Sequence, residues 1–276
     1  MTRYDLHCHS TRSDGLLSPG DVVRRAAGHG VDVIALTDHD EVAGLDEARD
    51  AAREAGVAFV AGSELSVTWR ETTVHVVALG INPADARLAA GLEGVREGRD
   101  ARARRIAASL AQAGIDDAFE GALGYVTSER LISRTHFARH LIDKGHARDM
   151  KDAFKHFLTA GKPGHVPHAW ATLAQAIDWI HGAGGQAVIA HPGRYKVTHA
   201  ELRELVREFR DVGGEGIEVV SPSHTGAQYD EFAALARVCG LKASCGSDFH
   251  GPGESRFDFG ELPPLPSGVE PIWSGW

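Results

Sequence analysis

Residues 3–10 of the chain read RYDLHCHS, and this short stretch carries the pattern from which the fold and the site can be predicted. We predict a strand over residues 3–9, and side chains of a strand alternate between its two faces. His7 and His9 therefore project from the same face, where their imidazole rings can reach one metal ion. Cys8 points to the opposite face and is expected to be a small buried residue.

Further ligand-type side chains follow the later apolar runs of the chain. Asp14 lies in a turn-rich stretch, and His75 lies inside an apolar run. The others directly follow a run or come within a few residues of its end, and they are His39, Glu64, His191, Asp248 and His250. If these runs are parallel strands, their carboxyl ends share one face of a barrel, which is where barrel enzymes place their chemistry. The sequence thus predicts that nine side chains form one site.

The order of elements favours a parallel α/β barrel. Strands are predicted at 3–9, 31–37, 57–61, 73–79, 186–190, 216–220 and 241–245. Helices are predicted at 21–30, 42–55, 83–110, 128–144, 148–158, 173–181, 201–209 and 229–238. The alternation breaks after the fourth strand, so we assign residues 1–94 and 166–276 to a metal-binding barrel. Residues 95–165 are predicted to be a helical insertion that faces the substrate, and the tail from 261 is expected to pack irregularly over the barrel.

Charge is distributed unevenly between these parts. The net charge is −9, which argues against a protein that coats duplex nucleic acid. Residues 96–165, however, carry 13 Lys and Arg against 9 Asp and Glu. This basic segment suits a small anionic substrate or a short nucleic-acid end. The arginines at 99, 102, 104 and 105 are expected to form an exposed helix face, with steering of an anionic strand as the alternative.

The sequence also indicates the cellular environment in which the protein works. It contains no run of about 18 apolar residues, so we expect no membrane span. Its three cysteines form no C-x-x-C pair, and a reducing cytoplasm is the expected location. Nothing in the pattern indicates an obligate protein partner.

Imidazole and carboxylate side chains are ligands for divalent ions such as Mn²⁺, Zn²⁺ and Fe²⁺. Nine such side chains exceed what one ion takes, and a carboxylate can bridge two ions. A water between two ions becomes a hydroxide nucleophile near neutral pH, and a third ion can neutralise the oxygens of a phosphate. Signatures of a serine hydrolase or of a phosphate-binding loop are absent from the sequence.

The ordered motifs resemble those of the polymerase and histidinol phosphatase (PHP) superfamily. They are His7-x-His9, Thr37-Asp38-His39, Glu64, His75, His191-Pro192 and Ser247-Asp248-x-His250. The resemblance implies a distorted (βα)7 barrel with three divalent ions. One ion would take His7, His9, Glu64 and Asp248, the second Glu64, His75 and His191, and the third Asp14, His39 and His250. Asp38 and Asp40 are expected to support the ligands.

A second stretch, Ser133-Arg134-Thr135-His136-Phe137-Ala138-Arg139 followed by Gly145, resembles stand-alone members of this superfamily. Those enzymes hydrolyse 5′-phosphate ester bonds of nucleoside 3′,5′-bisphosphates, or trim short 5′-phosphorylated oligonucleotides in the 5′–3′ direction. From the ligand chemistry we expect attack on phosphorus by a hydroxide that bridges two metal ions. The resemblance implies that Arg134 and His136 face the substrate and that Arg194 binds phosphate, as a guanidinium fork does well.

Three other functions remain open from the sequence. A histidinol-phosphate phosphatase would share the metal ligands, although the basic insertion argues against it. A metal-dependent amidohydrolase also begins with His-x-His on a barrel, but many of these use a bridging lysine, and the first lysine here is Lys144. The third is a catalytically silent accessory module, but such a protein would not need its metal ligands intact, so their presence argues against it.

Overall fold

Seven strands form one continuous sheet in the computed structural model, which describes residues 2–126 and 131–276. The strands follow chain order across the sheet, and they are β1 (Tyr4–Asp5), β2 (Val33–Leu36), β3 (Ala58–Trp69), β4 (Thr72–Leu79), β5 (Gln186–Ile189), β6 (Gly216–Val220) and β7 (Lys242–Cys245). The first and last strands meet, because Leu6 N donates to Cys245 O at 3.1 Å and Asp248 N donates to His7 O at 2.8 Å. The sheet is therefore a nearly closed barrel, and the predicted (βα)7 fold is confirmed.

The sheet departs from the predicted all-parallel arrangement at one strand. β4 pairs antiparallel with both β3 and β5, whereas the other neighbouring pairs are parallel. The cause is local, since only Arg70 and Glu71 separate β3 from β4, and so short a connection permits only an antiparallel pair. Arg70 has a φ of 53°, a turn conformation that arginine rarely adopts and that the sequence therefore does not indicate.

The length of β3 was also predicted incorrectly. The strand continues to Trp69 instead of ending at 61, so Glu64 lies inside a strand and not at its exit. Residues 62–67 are all buried, which means that both faces of this segment are covered. Polar residues such as Ser63 and Glu64 broke the apolar pattern and concealed the continuation of the strand.

Nine α-helices surround the sheet within the described residues. They are α1 (Pro19–Gly28), α2 (Leu45–Ala55), α3 (Ala86–Ala111), α4 (Ala118–Leu123), α5 (Arg134–Asp143), α6 (Met150–Ala153), α7 (Leu173–Gly182), α8 (His199–Asp211) and α9 (Gly226–Cys239). A π-helical turn follows α6 at Phe154–Leu158, and a 3-10 turn spans Pro192–Arg194. The helix predicted at 128–144 begins at Arg134, after the N-cap Ser133, and its predicted first turn includes residues outside the described ones.

Apolar packing divides into a barrel part and an insertion part. One cluster lies between the sheet and the outer helices, and a smaller one contains Leu6, Val77 and Ile272. A separate cluster draws its residues from 103–166, with Phe137 and Leu141 among its fully buried members. α3 joins the two parts, because its first half packs on the barrel through Leu88 and its second half on the insertion. The division at residue 95 remains a prediction and falls within this helix.

The carboxyl-terminal tail packs against the barrel through few regular bonds. Ala243 N donates to Glu270 O at 2.7 Å, and Ile272 N donates to Ala243 O at 2.8 Å. The rings of Tyr4 and Trp273 stack with centroids 4.0 Å apart. Among the helices of the described residues, none is both long and apolar enough to cross a membrane.

Close approach of β1 and β7 makes Gly246 a sensitive position. A Cβ there would lie 2.2 Å from the Cβ of His7 and 2.8 Å from its backbone nitrogen, closer than real contacts allow. We expect Gly246→Ala to lower the free energy of unfolding by about 1–3 kcal/mol through overpacking. Urea denaturation measures the change. Gly94→Ala is the matched control, because Gly94 lies on the exposed side of α3 with open space around it. Alanine there should raise the free energy of unfolding by about 0.5–1 kcal/mol. Equal stability of Gly246→Ala and the parent would contradict the packing argument.

Candidate metal centre

The barrel brings all nine predicted ligand residues to one place. His7 and His9 come from the segment after β1, Glu64 and His75 from the β3–β4 hairpin, and the remaining five from loops after strands or from the turn at 14. The site lies at the carboxyl ends of the parallel strands. The antiparallel pairing places Ser66 opposite His75, so that the imidazole of His75 points to the same region as Glu64.

Glu64 lies at the middle of the cluster and is fully buried. Its Oε1 is 2.9 Å from His75 Nδ1 and 2.9 Å from His191 Nε2. Its Oε2 is 2.8 Å from His39 Nδ1 and 3.4 Å from His9 Nε2. His7 Nε2 also lies 3.4 Å from Oε1. One carboxylate therefore faces five imidazoles, an arrangement suited to a carboxylate that bridges ions.

Two further carboxylates flank Glu64. Asp248 Oδ1 lies 3.5 Å from His7 Nε2 and 3.3 Å from His9 Nε2. Asp14 Oδ1 lies 3.4 Å from His250 Nε2 and 3.7 Å from His39 Nε2. Four groups with ligand atoms within 4.8 Å of one another result: His9, Asp14, His39 and His250; His7, His9 and Asp248; His7, Glu64 and His191; and His39, Glu64 and His75.

Some of the ligand atoms pair with one another, such as Glu64 Oε1 with His75 and His191, but others point into the same space without a partner. Buried atoms without a hydrogen-bond partner include Asp14 Oδ1, Glu64 Oε2 and Asp248 Oδ1. His39 Nδ1 is also unpaired, although it lies only 2.8 Å from Glu64 Oε2. Burying so many unsatisfied polar atoms is costly unless something else binds them. The residues therefore fit divalent cations, for which imidazole nitrogen and carboxylate oxygen are suitable donors.

Electrostatics favour ionised carboxylates at this site but shift its imidazoles in both directions, since the neighbouring carboxylates raise the pKa of His7, His39 and His250 despite their burial. Burial raises the pKa of Glu64, but the surrounding histidines hold it well below its usual range, and Asp14 and Asp248 behave in the same way. Burial lowers the pKa of His9 to about 3 and that of His75 to about 4. Ionised carboxylates and neutral imidazoles are the forms that bind metal.

Two of the nine residues have strained backbones. His191 has a φ of 28° and Asp248 a φ of 48°, both in the left-handed region that favours glycine. Such strain costs about 1–3 kcal/mol per residue and persists only where the surroundings enforce it. At His191 the enforcing contact is visible, because its backbone N donates to Glu218 Oε2 at 2.5 Å.

Glu218 is a functional residue that the sequence analysis missed. It is buried in β6, and its Oε1 lies 2.7 Å from His7 Nδ1. This contact fixes the ring so that Nε2 faces the cluster, the way carboxylates commonly orient metal-binding histidines. Glu218 lies within the apolar run of β6, and an acid in a buried strand was the signal that could have revealed it.

Asp38 and Asp40 take the supporting positions predicted for them. Asp38 accepts hydrogen bonds from the backbone and hydroxyl of Ser10 and from Ser13 Oγ, at 2.6–2.7 Å. Asp40 accepts from Ser66 N at 2.6 Å and from Arg99 Nε at 2.8 Å. The two carboxylates flank His39 along the chain. That of Asp38 holds the loop against residues 10–13, and that of Asp40 holds it against β3.

Arg99 was predicted to lie on an exposed helix face, and this prediction is wrong. Its side chain is buried and pairs with Asp40 and Ser66. α3 crosses the edge of the metal site, so the side of the helix that carries Arg99 is covered. Arg104 and Arg105 are exposed as predicted, and Arg102 is half-buried.

The three predicted substrate-facing residues lie around the ligand cluster. Arg194 Nη1 donates to Asp248 Oδ2 at 2.9 Å, and its side chain is 47% exposed, which leaves part of the guanidinium free. His136 is buried, and its Nδ1 accepts from Ser133 N at 3.0 Å. Burial, together with the charges of Arg194 and Arg99, lowers the pKa of Arg134 to about 10.

A cavity of about 260 Å³ opens beside Asp248 and His250. Thr135, Met150 and Phe154 line it from the insertion, whereas Ser223 and Arg256 line it from the barrel. Ser133 Oγ also donates to Asp14 Oδ2 at 2.9 Å. The insertion thus contacts a ligand residue directly and forms one wall of the cavity.

Comparison with known proteins identifies the family. The model of the PHP domain matches residues 5–219. The chain belongs to the PHP domain family. A 3′,5′-nucleoside bisphosphate phosphatase from Chromobacterium violaceum is 51% identical over 99% of this chain and 96% of its own. A 5′-3′ exoribonuclease from Haemophilus influenzae is 40% identical over 98% of each chain. The predicted membership of this family and the predicted phosphoesterase class are confirmed.

A solved structure shares the complete PHP fold. It is described as an amidohydrolase from Chromobacterium violaceum with bound sulfate and no metal. Its sequence is 50% identical, its TM-score is 0.96, and the match covers 99% of this chain and 95% of that one. The agreement confirms the arrangement of barrel and helices described above.

Replacing Glu218 tests its role in orienting His7 at the metal centre. Glu218→Gln keeps the shape of the side chain but removes the charge that orients His7, so we expect the affinity for Mn²⁺ to fall about 10- to 100-fold. Isothermal titration calorimetry and elemental analysis of the dialysed protein measure this. Glu215→Gln is the control, because Glu215 immediately precedes the same strand at the end away from the site. Parent-like metal affinity in Glu218→Gln would show that the contact with His7 has no such role.

Arg99 can be tested through stability. Arg99→Met leaves the Asp40 carboxylate buried with two donors, the backbone N and the hydroxyl of Ser66, but without a paired cation. We expect a loss of about 3 kcal/mol in the free energy of unfolding. Arg104→Met removes an exposed ion pair with Asp100 on the same helix and should cost less than about 1 kcal/mol. Thermal and urea unfolding of the metal-free proteins give both values. Similar losses in the two variants would mean that the Arg99–Asp40 pair is not the stabilising contact.

Proposed function

We propose that the protein hydrolyses the 5′-phosphate ester bonds of nucleoside 3′,5′-bisphosphates and of short 5′-phosphorylated oligonucleotides. The observation that carries the proposal is the cluster of unpaired ligand atoms around Glu64, which is open on one side to a cavity lined by arginine. One relative is named for nucleoside 3′,5′-bisphosphates and the other for RNA degraded in the 5′–3′ direction. The two substrates are alike, because the first nucleotide of a 5′-phosphorylated strand carries phosphate on both its 5′ and its 3′ oxygen.

We propose three divalent ions for the site, with Mn²⁺, Zn²⁺ or Fe²⁺ as candidates. The first would be held by His7, His9, Glu64 and Asp248, the second by Glu64, His75 and His191, and the third by Asp14, His39 and His250. When bound, such ions lower the pKa of water to give a nucleophile and neutralise phosphate oxygens. The four ligand groups of the structure overlap, because His7, His9, His39 and Glu64 each belong to two of them, and such sharing is compatible with neighbouring ions.

The protein's own residues bind and orient the phosphate. The guanidinium of Arg194 is anchored to Asp248 at 2.9 Å, so its remaining N–H groups are presented beside the ligand cluster. Ser133 donates to Nδ1 of His136, which places the proton of the neutral imidazole on Nε2. Burial lowers the pKa of His136 to about 4, so this imidazole is a neutral hydrogen-bond donor at pH 7. Arg134 adds positive charge from the insertion.

Residues 95–165 are proposed to cover the substrate. Two contacts fix this segment over the site, since Arg139 Nη2 donates to Asp14 O at 2.7 Å and Arg139 Nε donates to Glu254 at 2.9 Å.

The unpaired cysteines Cys8, Cys239 and Cys245 fit the cytoplasm expected from the sequence.

The proposal is tested with adenosine 3′,5′-bisphosphate and 5′-phosphorylated oligoribonucleotides in the presence of Mn²⁺. We expect release of phosphate or mononucleotide, loss of turnover with a chelator and recovery with Mn²⁺. Chromatography of the products identifies the ester that is cut. Histidinol phosphate is the comparison substrate and should have a much lower kcat/KM. Turnover of neither nucleotide substrate, with metal bound, would reject the proposal.

Two substitutions separate binding from chemistry. Asp248→Asn removes a ligand charge and should lower kcat by orders of magnitude, whereas Arg194→Ala should mainly raise KM because it removes a phosphate contact. Arg203→Ala, on the exposed face of α8, is the control. An unchanged KM in Arg194→Ala would remove Arg194 from the phosphate site.

A further inference from the structure

One side of the metal site carries a basic surface that the binding of a mononucleotide does not explain. We call it the basic track, and it consists of Arg102, Arg105, Arg134, His165, His168 and Trp170. Its residues come from α3, from α5 and from the segment that returns from the insertion to the barrel. The track begins beside the ligand cluster and continues to exposed Arg105 at the rim.

Its arginines lack acidic partners among the described residues. Arg102 Nε donates to Val166 O at 3.1 Å, and Arg105 Nη2 lies 3.3 Å from Pro167 O and from His168 Nδ1. Arg134 lies over the ring of Phe154 at 5.8 Å. Other arginines of α3 differ, because Arg96, Arg99 and Arg104 each pair with a carboxylate.

These cations are close enough to repel one another. Burial, and then the charges of Arg134, Arg99 and Arg105, lower the pKa of Arg102 to about 9. Burial and the charges of Arg134 and Arg102 also lower the pKa of His165. Assembling like charges without neutralisation is unfavourable, and a bound polyanion would reverse that cost.

Trp170 adds planar surface between the metal site and the arginines. Its Nε1 donates to Thr73 Oγ1 at 3.3 Å, and Thr73 lies two residues from His75 on the same strand. Its ring lies 4.1 Å from that of His168 and 5.5 Å from the guanidinium carbon of Arg102. Aromatic rings and guanidinium planes are the groups on which unpaired bases stack in single-stranded nucleic acid.

The track is continuous with the proposed phosphate site. Arg134 is within electrostatic range of Arg194, which is bonded to Asp248, and of Arg102 on the other side. A mononucleotide bound at the metal centre would occupy the inner end at Arg194. The outer arginines would then have no phosphate unless the substrate extends beyond its first nucleotide.

We propose that the basic track is a subsite for the second and following nucleotides of a single-stranded, 5′-phosphorylated oligonucleotide. The arginines bind its backbone phosphates, and the planar groups at Trp170 and His168 receive its bases. This inference rests on the proposed function and assigns a separate part of the protein to oligonucleotides.

The test compares two substrates in the metal-loaded enzyme, adenosine 3′,5′-bisphosphate and a 5′-phosphorylated pentaribonucleotide. For Arg105→Gln and the double variant Arg102→Gln/Arg105→Gln, we expect KM for the pentanucleotide to rise at least tenfold. The kcat/KM for the bisphosphate should change less than twofold. Arg104→Gln, on the same helix but paired with Asp100, should leave KM and kcat/KM unchanged for both substrates. Arg105 is exposed, so the single variant should fold even if the double variant does not.

Binding provides a readout that is independent of turnover. Fluorescence anisotropy with a labelled phosphorothioate pentanucleotide should show weaker binding by Arg105→Gln. Each lost phosphate contact should reduce the slope of log affinity against log salt by about 0.7. Equal losses on both substrates, or no loss on the pentanucleotide, would overturn the proposal. If the parent turns over neither substrate, the proposed function fails, and the anisotropy measurement still decides whether the track binds a strand.

Discussion

Burial of the Glu64 carboxylate among five imidazoles is the interaction on which the rest of the site depends. The carboxylate has no solvent exposure, and its Oε2 makes no hydrogen bond with any described residue. Burying such a group is costly unless a cation bound among the surrounding side chains compensates for it. The position is available only because β3 continues past the edge of the parallel strands and returns as β4. The inverted strand thus places Glu64 and His75 within 2.9 Å of each other in the floor of the site.

The surrounding structure supplies the constraints that keep the ligands in place. Glu218 fixes the ring of His7 and the backbone of His191, and the Arg99–Asp40 pair fixes the loop that carries His39. Strain at His191 is balanced by the hydrogen bond from its backbone to Glu218. The supporting groups come from β6 and α3, so elements without any metal ligand are still needed for the geometry of the centre.

α3 connects the metal centre with the surface that we assign to nucleic acid. One side of the helix presents Arg99 to the ligand loop, whereas Arg102 and Arg105 face the segment at 166–168. The same helix packs on the barrel at one end and on the insertion at the other. A shift of the insertion would therefore move both the arginines that we assign to substrate and the support of His39.

The sequence by itself determined the barrel class, the family and the nine ligand-type residues, because strand ends and metal ligands leave local patterns of alternation and spacing. It did not determine the antiparallel β4, since the turn at Arg70 and Glu71 has no distinctive residue and Glu64 interrupts the apolar run of β3. Nor could it place Glu218 or Arg99, whose roles depend on partners 211 and 59 residues away in the chain. Only the tertiary structure decided which polar residues are buried together, because burial and pairing arise from contacts between distant segments.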